Sequence, residues 1–238
     1  YGDHRDLHLS LRRQRQMCIR DSSYSSLKMY ENCPKRYYHQ RITKEVTDSG
    51  SDATRYGERV HRALEERLTN DNKLSDETIQ YEKLCSTIAK MKTHPEFDQL
   101  LLEKRMTVTD KYTPTDWWSD NAWLRSILDV LVLFKDKAIV MDWKTGKRRP
   151  DFTQLEMFAL QVFSHFPHIN RVTTSFVWLK DMKQDKRSYC RELSFEMQMD
   201  LNGRIDRIHQ SLQNNDFPAK PSGLCRWCPC YEWCEYAS

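Results

Sequence analysis

The sequence predicts an α/β (α+β) fold in which helices come first and a mixed β-sheet with flanking helices follows. In the N-terminal third, apolar residues repeat at helical spacing, most clearly at Val60, Leu64 and Leu68. Farther along, the pattern changes to short, largely apolar runs typical of strands, such as residues 127–133 and 138–141. Helices followed by strands with helices between them are typical of this class.

The individual elements follow from these periods and from the turn residues that separate them. A helical segment over 23–42 is predicted to break at Cys33-Pro34, because proline suits the first turn of a new helix. Further helices are predicted over 55–69, 76–92, 152–166 and 195–212. Strands are predicted over 100–108, 122–133, 138–144 and 172–179, with an edge strand over 187–193. A polar loop over 110–120 carries Trp117 and Trp118.

The 238 residues suit one domain with an appendage. Residues 1–22 are basic and without useful periodicity, and 17–22 resemble a translated adapter, so we predict a non-native or disordered arm. We predict a main domain over 23–217 and a cysteine-rich tail over 218–238, which packs with Cys33.

Composition narrows the classes of function. The net charge of +4, from 38 basic and 34 acidic residues, permits nucleic-acid binding without requiring it. No apolar run reaches the roughly 20 residues of a membrane span, so no membrane partner is expected. Thr145-Gly146-Lys147 lacks the upstream glycine of a phosphate-binding loop, which argues against an ATPase. Without a secretory signal, a reducing cytoplasm is expected, in a bacterial or phage-infected cell.

A predicted hairpin carries the residues most suggestive of chemistry, which are Asp129, Asp142 and Lys144. A turn at 135–136 would place Asp129 opposite Asp142, whereas a turn at 136–137 would place it opposite Lys144. Both registers keep the three side chains on one face, because opposed residues share a face and the strand period is two. Charges flanked by apolar residues are costly to bury. Either a bound divalent cation or an ion pair with Lys144 would reduce that cost.

The motifs around this hairpin resemble the core of the PD-(D/E)XK nucleases, and most closely their RecB-like branch. The resemblance rests on Leu128-Asp129-Val130, on the run 140–146 with its Asp-x-Lys-Thr-Gly, on Gly57-x-x-x-His61 and on Gln154 in the next helix. It implies a restriction-endonuclease-like mixed sheet flanked by helices. By itself His61 would be read as a core histidine. The sequence departs from the family pattern at Phe158, where a tyrosine is common, and in lacking a glycine just before Asp129.

The resemblance also implies roles for these residues. His61, Asp129, Asp142 and the backbone carbonyl of Trp143 would bind Mg²⁺ or Mn²⁺. Lys144 would be the catalytic lysine, and Gln154 would position it or the substrate. The implied activity is a metal-dependent deoxyribonuclease, with a single-strand-preferring exonuclease of recombination, repair, phage replication or CRISPR adaptation as the narrower expectation. A helicase or a recombination or CRISPR protein would then be its partner. The alternative is a non-catalytic DNA-binding scaffold.

The tail concentrates four of the eight cysteines in the last fourteen residues. Thiolates at this spacing can surround one metal ion or cluster. Similarity to iron–sulfur members of the branch implies a [4Fe–4S] cluster, whose ligands would be Cys33, Cys225, Cys228 and Cys234. Cys230 leaves open a zinc site made by the tail alone, and free thiols are a third possibility.

Several basic and aromatic residues are candidates for DNA contact. Basic side chains next to a reaction site can bind phosphates, and charge mixed with aromatic rings is typical of single-strand binders. For any one of these residues, a solvated basic face or a packed aromatic ring is the preferred interpretation. The candidates for phosphate contact are Lys147, Arg148, Arg149, Lys35 and Arg36, and the candidates for base stacking are Tyr37, Tyr38, Trp117 and Trp118.

Overall fold

The computed structural model describes residues 22–48 and 50–236. Most of the arm predicted over 1–22 therefore lies outside the described residues. Ser22 itself is described: its amide donates to the Trp123 carbonyl at 2.9 Å, and its carbonyl accepts from the Arg125 amide at 2.9 Å.

Within residues 22–48 and 50–236, five main helices lie close to their predicted positions. The N-terminal segment breaks at Cys33, whose extended backbone separates the first helix from a short turn at Pro34–Tyr37 and a π-helical turn at Tyr38–Ile42. Ser51 and Thr54 form a capping box at the start of the second helix. The helices are α1 (Tyr24–Asn32), α2 (Asp52–Asn70), α3 (Glu82–Lys90), α4 (Phe152–His165) and α5 (Ser194–Asn214).

The five strands form one sheet in sequence order. All neighbouring strands are antiparallel except β3 and β4, which are parallel and joined through α4. The strands are β1 (Phe97–Val108), β2 (Leu124–Phe134), β3 (Lys137–Lys144), β4 (Arg171–Trp178) and β5 (Lys183–Cys190).

Two predicted boundaries were wrong. An edge strand was expected over 187–193, but it starts at Lys183 and ends at Cys190. These bounds are set by its pairing with β4 along its whole length. Its sequence is polar, which suits an edge strand and hides the apolar alternation used to find strands. The helix expected over 76–92 is α-helical only from Glu82, with 3₁₀ turns on both sides.

Helices cover both faces of the sheet, and each face has its own core. The α4-side core contains buried residues of α1, α4 and α5, such as Leu27, Leu155 and Ile205. The α2-side core contains Val60 and Leu64 of α2 together with residues of α3. Both faces of β2 and β3 are therefore covered. Among the residues with described coordinates, no helix is long and apolar enough to cross a membrane.

The hairpin has the first of the two predicted registers. Leu133 pairs with Ala138 and Val130 with Met141, so the turn is at 135–136 and the register places Asp129 opposite Asp142. The regular alternation of β2 is nevertheless interrupted at Asp129. Leu128 packs in the α4-side core and Val130 in the α2-side core, although they are two residues apart.

The neighbouring strand changes face at the same level. Leu102 packs against the α2-side core and Met106 lies in the α4-side core. Between them, Glu103 has a φ of +44°, a left-handed conformation that is unusual for a residue other than glycine. Both strands thus depart from a two-residue period where the candidate site begins.

Candidate active site

Helix α2 brings His61 to the end of the sheet. A Cβ atom at Gly57 would lie 3.1 Å from Thr145 Oγ1, so glycine permits the close approach of α2 to the segment after β3. One turn later, His61 Nδ1 lies 3.4 Å from Asp129 Oδ1. Its Nε2 lies 3.2 Å from the Trp143 carbonyl oxygen. Three of the predicted metal-binding groups therefore meet here.

Asp142, Lys144 and Gln154 form a second group, on strand β3 and helix α4. Lys144 Nζ lies 2.5 Å from Asp142 Oδ2 and donates to Gln154 Oε1 at 3.0 Å. Gln154 Nε2 donates to Asp142 Oδ1 at 3.1 Å. Gln154 therefore contacts both other residues of this group.

Asp129 connects these two groups. Its Oδ2 accepts a 2.6 Å hydrogen bond from the backbone amide of Trp143, between Asp142 and Lys144. Its carboxylate is 8% exposed and that of Asp142 is 6% exposed, so both are buried. Two buried carboxylates on adjacent strands produce a strongly negative site.

Glu103 is a site residue that the sequence analysis missed. Ligand atoms of His61, Glu103 and Asp129 all lie within 4.8 Å of one another, a spacing that could hold a metal ion. The available signal was an acidic residue directly after Leu100-Leu101-Leu102 in a predicted strand. The pairing of β1 with β2, which puts Leu102 beside Val130 and Lys104 beside Leu128, could not be read from the sequence.

The titration properties reflect this concentration of negative charge. Burial, and then the charge of Asp129, raise the pKa of Glu103 to about 7. The same two causes raise the pKa of Asp142 to about 6, against the opposing effect of Lys144. Burial by itself would lower the pKa of His61, but the adjacent carboxylates, above all Asp129, outweigh it and raise this pKa. Each shift reduces the net negative charge, which a bound cation would also do.

The residues present fit a hard divalent cation. Carboxylate and carbonyl oxygens with one imidazole nitrogen are suitable ligands for Mg²⁺ or Mn²⁺. Asp142 Oδ2 is buried, and the positive charge that faces it is the Lys144 ammonium, at 2.5 Å. A buried carboxylate is costly unless positive charge or hydrogen-bond donors face it, and a bound cation would supply further positive charge to the carboxylates here.

Among the predicted phosphate contacts, Lys147 and Arg149 are exposed beyond Lys144. Arg148 instead forms a two-pronged ion pair with Asp185, with one hydrogen bond of 2.8 Å. Lys35 pairs with Glu235, and Arg36 Nε donates to Gln40 Oε1 at 2.8 Å. These three cations are thus already engaged within the protein.

The aromatic candidates also divide into two kinds. Tyr37 is buried and packs edge-on against Tyr30, and Tyr38 packs against Phe217, so this pair contributes to the fold. The Trp118 side chain, by contrast, is 81% exposed.

The cysteines meet at a separate cavity of about 350 Å³, between the break after α1 and the tail. Lys220 Nζ donates to the Glu31 carbonyl at 2.8 Å, and the Lys35 amide donates to the Pro218 carbonyl at 3.3 Å. These two hydrogen bonds hold the tail against the break after α1. Cys230 does not line this cavity; it is 2% exposed, and burial raises the pKa of its thiol to about 12. The cavity is lined by the other four predicted sulfur ligands, Cys33, Cys225, Cys228 and Cys234.

The family model of the PD-(D/E)XK nuclease superfamily matches residues 21–235. A comparison with curated proteins finds no match. Among solved structures, the chain is similar to the crystal structure of SSO0001, at 9% identity and a TM-score of 0.42, covering 98% of this chain and 96% of that one. It is also similar to a protein from Eubacterium rectale called "Putative exonuclease", at 14% identity and a TM-score of 0.48, covering 90% and 89%.

The five-stranded mixed sheet flanked by helices and the match over nearly the whole chain define a nuclease, a phosphodiester hydrolase that uses divalent metal ions. The chain belongs to the PD-(D/E)XK nuclease superfamily.

Proposed function

We propose that this protein is a metal-dependent deoxyribonuclease whose active site consists of His61, Asp129, Asp142, Lys144 and Gln154. The observation that carries this proposal is the convergence of buried Asp129 and Asp142 with His61 on one side and Lys144 on the other. His61, Asp129, Asp142 and the Trp143 carbonyl would hold Mg²⁺ or Mn²⁺. Glu103 would be a further ligand, since its carboxylate lies near the imidazole of His61 and the carboxylate of Asp129.

A divalent cation in this site would polarise the phosphate and favour ionisation of the attacking water. The protein contributes a positioned ammonium group. The Lys144 ammonium has three hydrogens, of which Gln154 accepts one and Asp142 faces another. The remaining hydrogen can orient the attacking water or donate to a phosphate oxygen as negative charge develops there. Phe176, whose ring centre lies 5.2 Å from Lys144 Nζ, further restricts this side chain.

Gln154 acts as a positioning residue. It donates to Asp142 and accepts from Lys144, so a neutral amide holds both charged groups without adding charge. Hydrogen bonds of this kind keep catalytic groups within the narrow range of geometry that hydrolysis requires. Lys147 and Arg149, exposed beyond Lys144, are suited to binding the phosphates of the substrate strand.

The substrate proposed is single-stranded DNA, cleaved in the exonuclease mode. The exposed Trp118 and the arginines near it favour a single-stranded substrate, because the bases of a single strand are free to stack on aromatic side chains. The expected setting is recombination, repair, phage replication or CRISPR adaptation in the cytoplasm of a bacterial or phage-infected cell. There a helicase or a recombination or CRISPR protein would supply the unwound strand.

For the tail we propose a [4Fe–4S] cluster bound by Cys33, Cys225, Cys228 and Cys234. These four line one cavity, and the buried Cys230 lies outside its lining, which favours this set over a zinc site of the tail alone. Such a cluster would join the tail, 218–238, to the break after α1 and close the nuclease domain, 23–217.

The test is digestion of end-labelled single-stranded and double-stranded DNA with Mg²⁺ or Mn²⁺. Loss of mononucleotides from one end of the single strand, with little change in the duplex, is expected. Internal cuts would contradict the exonuclease mode, and equal rates on both substrates would contradict the strand preference. DNA binding without hydrolysis under any of these conditions would favour the scaffold instead.

A further inference from the structure

A second cavity, of about 440 Å³, opens next to the candidate active site. This volume lies within the range of about 300–1,000 Å³ that is usual for ligand sites. Its walls come from the start of α1, the loop before β2, the first residues of β2 and helix α4. Lining residues that matter here are Tyr24, Trp118, Ile127, Gln154 and Phe158.

Two apolar side chains of this cavity are open to solvent. Trp118 is 81% exposed and Ile127, on strand β2, is 41% exposed. Ile127 lies on β2 two residues before Asp129, and Gln154, whose side chain contacts Asp142, lines the same cavity. Exposed apolar side chains grouped at a cleft are typical of a binding surface, whereas single ones scattered over a protein need no explanation.

The loop that carries Trp118 is held in place by cations. Arg125 Nε donates to the Trp117 carbonyl at 2.6 Å. The guanidinium groups of Arg105 and Arg125 lie 5.3 and 5.8 Å from the centre of the Trp117 ring. The Trp117 ring packs edge-on against Trp118 at 6.4 Å. Trp118 is therefore presented by a supported loop, with positive charge next to it that suits a phosphate backbone.

Gln154 connects this cavity with the reacting groups. It lines the cavity, and its side chain contacts both Lys144 and Asp142. A ligand group in the cavity would consequently be a direct neighbour of a phosphate positioned by Lys144. In a DNA strand, the group that directly neighbours a phosphate is a nucleoside.

We propose that this cavity binds one unpaired nucleobase of the substrate strand, adjacent to the phosphate that is cleaved, with the base stacked on Trp118. This inference rests on the proposed nuclease function, since it assigns a subsite to the same strand. An aromatic ring next to an aliphatic side chain accepts the flat face of any base, and such stacking tolerates all sequences. A base within a duplex has both faces stacked already, so the subsite selects single strands.

The test compares Trp118→Leu, which keeps an apolar side chain, with Trp118→Phe, which keeps an aromatic ring. Phe195→Ala is the matched control, because Phe195 is 71% exposed and lies away from the site. It comes shortly after Cys190, the last residue of β5, which pairs with Arg171 at the end of the sheet opposite Asp142. Binding of a fluorescent oligothymidylate is measured in EDTA, where hydrolysis cannot occur, and KM and kcat are measured with Mg²⁺. A series of oligonucleotides with one abasic position each locates the base that matters.

For Trp118→Leu, we expect binding about 10-fold weaker or more, with KM raised more than kcat is lowered. Trp118→Phe should recover most of the affinity, and Phe195→Ala should match the wild type. One abasic position should weaken wild-type binding and have no further effect on Trp118→Leu. Unchanged binding by Trp118→Leu, or equal sensitivity of both proteins to each abasic position, would overturn the proposal. If the protein binds DNA in this way but never hydrolyses it, the base subsite is supported and the proposed nuclease function is contradicted.

Discussion

Glu103 and Asp129 face each other across two adjacent strands, and their carboxylates lie within 4.8 Å of each other and of the imidazole of His61. Glu103 reaches this position through a left-handed backbone conformation. Burial, and then the repulsion between two carboxylates at this distance, raise the pKa of Glu103. We propose that a cation shared by both groups offsets this repulsion.

Replacing Glu103 by glutamine should weaken binding of Mn²⁺ by about 10-fold or more, because the amide keeps the shape but loses the charge. Isothermal titration of the purified protein with Mn²⁺ measures this. Glu196→Gln is the control, because Glu196 is exposed on α5 and remote from the site residues. Equal Mn²⁺ affinities of Glu103→Gln and wild type would show that Glu103 is not a ligand.

The stabilising effect of the metal should increase with pH. Because the pKa values of Asp142, Glu103 and His61 are raised, these groups bind more protons in the folded than in the unfolded protein, between about pH 4 and 7. Their contribution to metal-free stability therefore falls as pH rises, and protons compete less with the cation. The shift in Tm on adding Mn²⁺ should be larger at pH 8 than at pH 5.5, by roughly 3–5 °C for each tenfold gain in affinity.

The Mn²⁺-induced Tm shift of wild type should be compared with that of Glu103→Gln at each pH, because other groups titrate in the same pH range. His165 and His209 have pKa values lowered mainly by burial, and their contribution to stability rises with pH. They affect wild type and Glu103→Gln alike. A pH dependence of the Mn²⁺-induced Tm shift that is identical in the two proteins would speak against the role of Glu103.

Substituting Gly57 by alanine should reduce activity several-fold while leaving the fold intact. The new Cβ would meet Thr145 Oγ1 at 3.1 Å, and we expect α2, with His61, to shift away from β3 by a few tenths of an ångström. The Mn²⁺ concentration needed for half-maximal hydrolysis should rise. Adding Thr145→Ala should restore much of the loss, whereas Thr145→Ser, which keeps the hydroxyl, should not. If both double variants behave alike, contact with Thr145 Oγ1 is not the reason for glycine.

Gln154→Glu should shift the acidic limb of the pH–rate profile upward. The glutamate could still accept from Lys144, but it would replace the donor that faces Asp142 by a second carboxylate. Like charges raise the pKa of a buried acid, so Asp142 would ionise only at higher pH. Gln154→Ala should lower the rate without that shift. An unchanged acidic limb in Gln154→Glu would mean that Gln154 does not act on Asp142.

Purified without oxygen, the wild-type protein should be brown and contain about four iron and four sulfide ions. Cys33→Ser should lose most of this iron, because Cys33 lines the tail cavity, whereas Cys230→Ser should retain it. Metal analysis and the visible absorption spectrum give the result. A colourless protein containing zinc that depends on Cys230 and not on Cys33 would establish the alternative site.

Much of the fold could be predicted from the sequence, because local patterns dictate it, whereas the roles of the candidate site residues came from the resemblance of their motifs to a family. Apolar runs identified β2 and β3, but two hairpin registers stayed open, and the pairing of Leu133 with Ala138 selects the turn at 135–136. The reversal of faces at Glu103 and Asp129 could not be predicted, since it depends on a backbone conformation that glutamate rarely adopts. The polar edge strand β5 was misplaced for a related reason: its position is set by pairing with β4, and its sequence has no apolar alternation.

Arg148 shows a further limit of prediction from sequence. Within the basic run 147–149 the three side chains look equivalent, but Asp185 is brought to Arg148 only by the pairing of β4 with β5. The same applies to Trp118 and Ile127, whose common cavity is formed by segments distant in sequence.

The central claim is that Asp142 and Lys144 catalyse metal-dependent hydrolysis. Single-turnover cleavage of labelled single-stranded DNA tests this most directly, with Mn²⁺ or EDTA, for wild type, Asp142→Asn and Lys144→Met. We expect cleavage by the wild type only with Mn²⁺, and a loss on the order of 100-fold or more in both variants, with DNA binding in EDTA retained. Equal cleavage by all three proteins, or cleavage by the wild type in EDTA, would contradict the account.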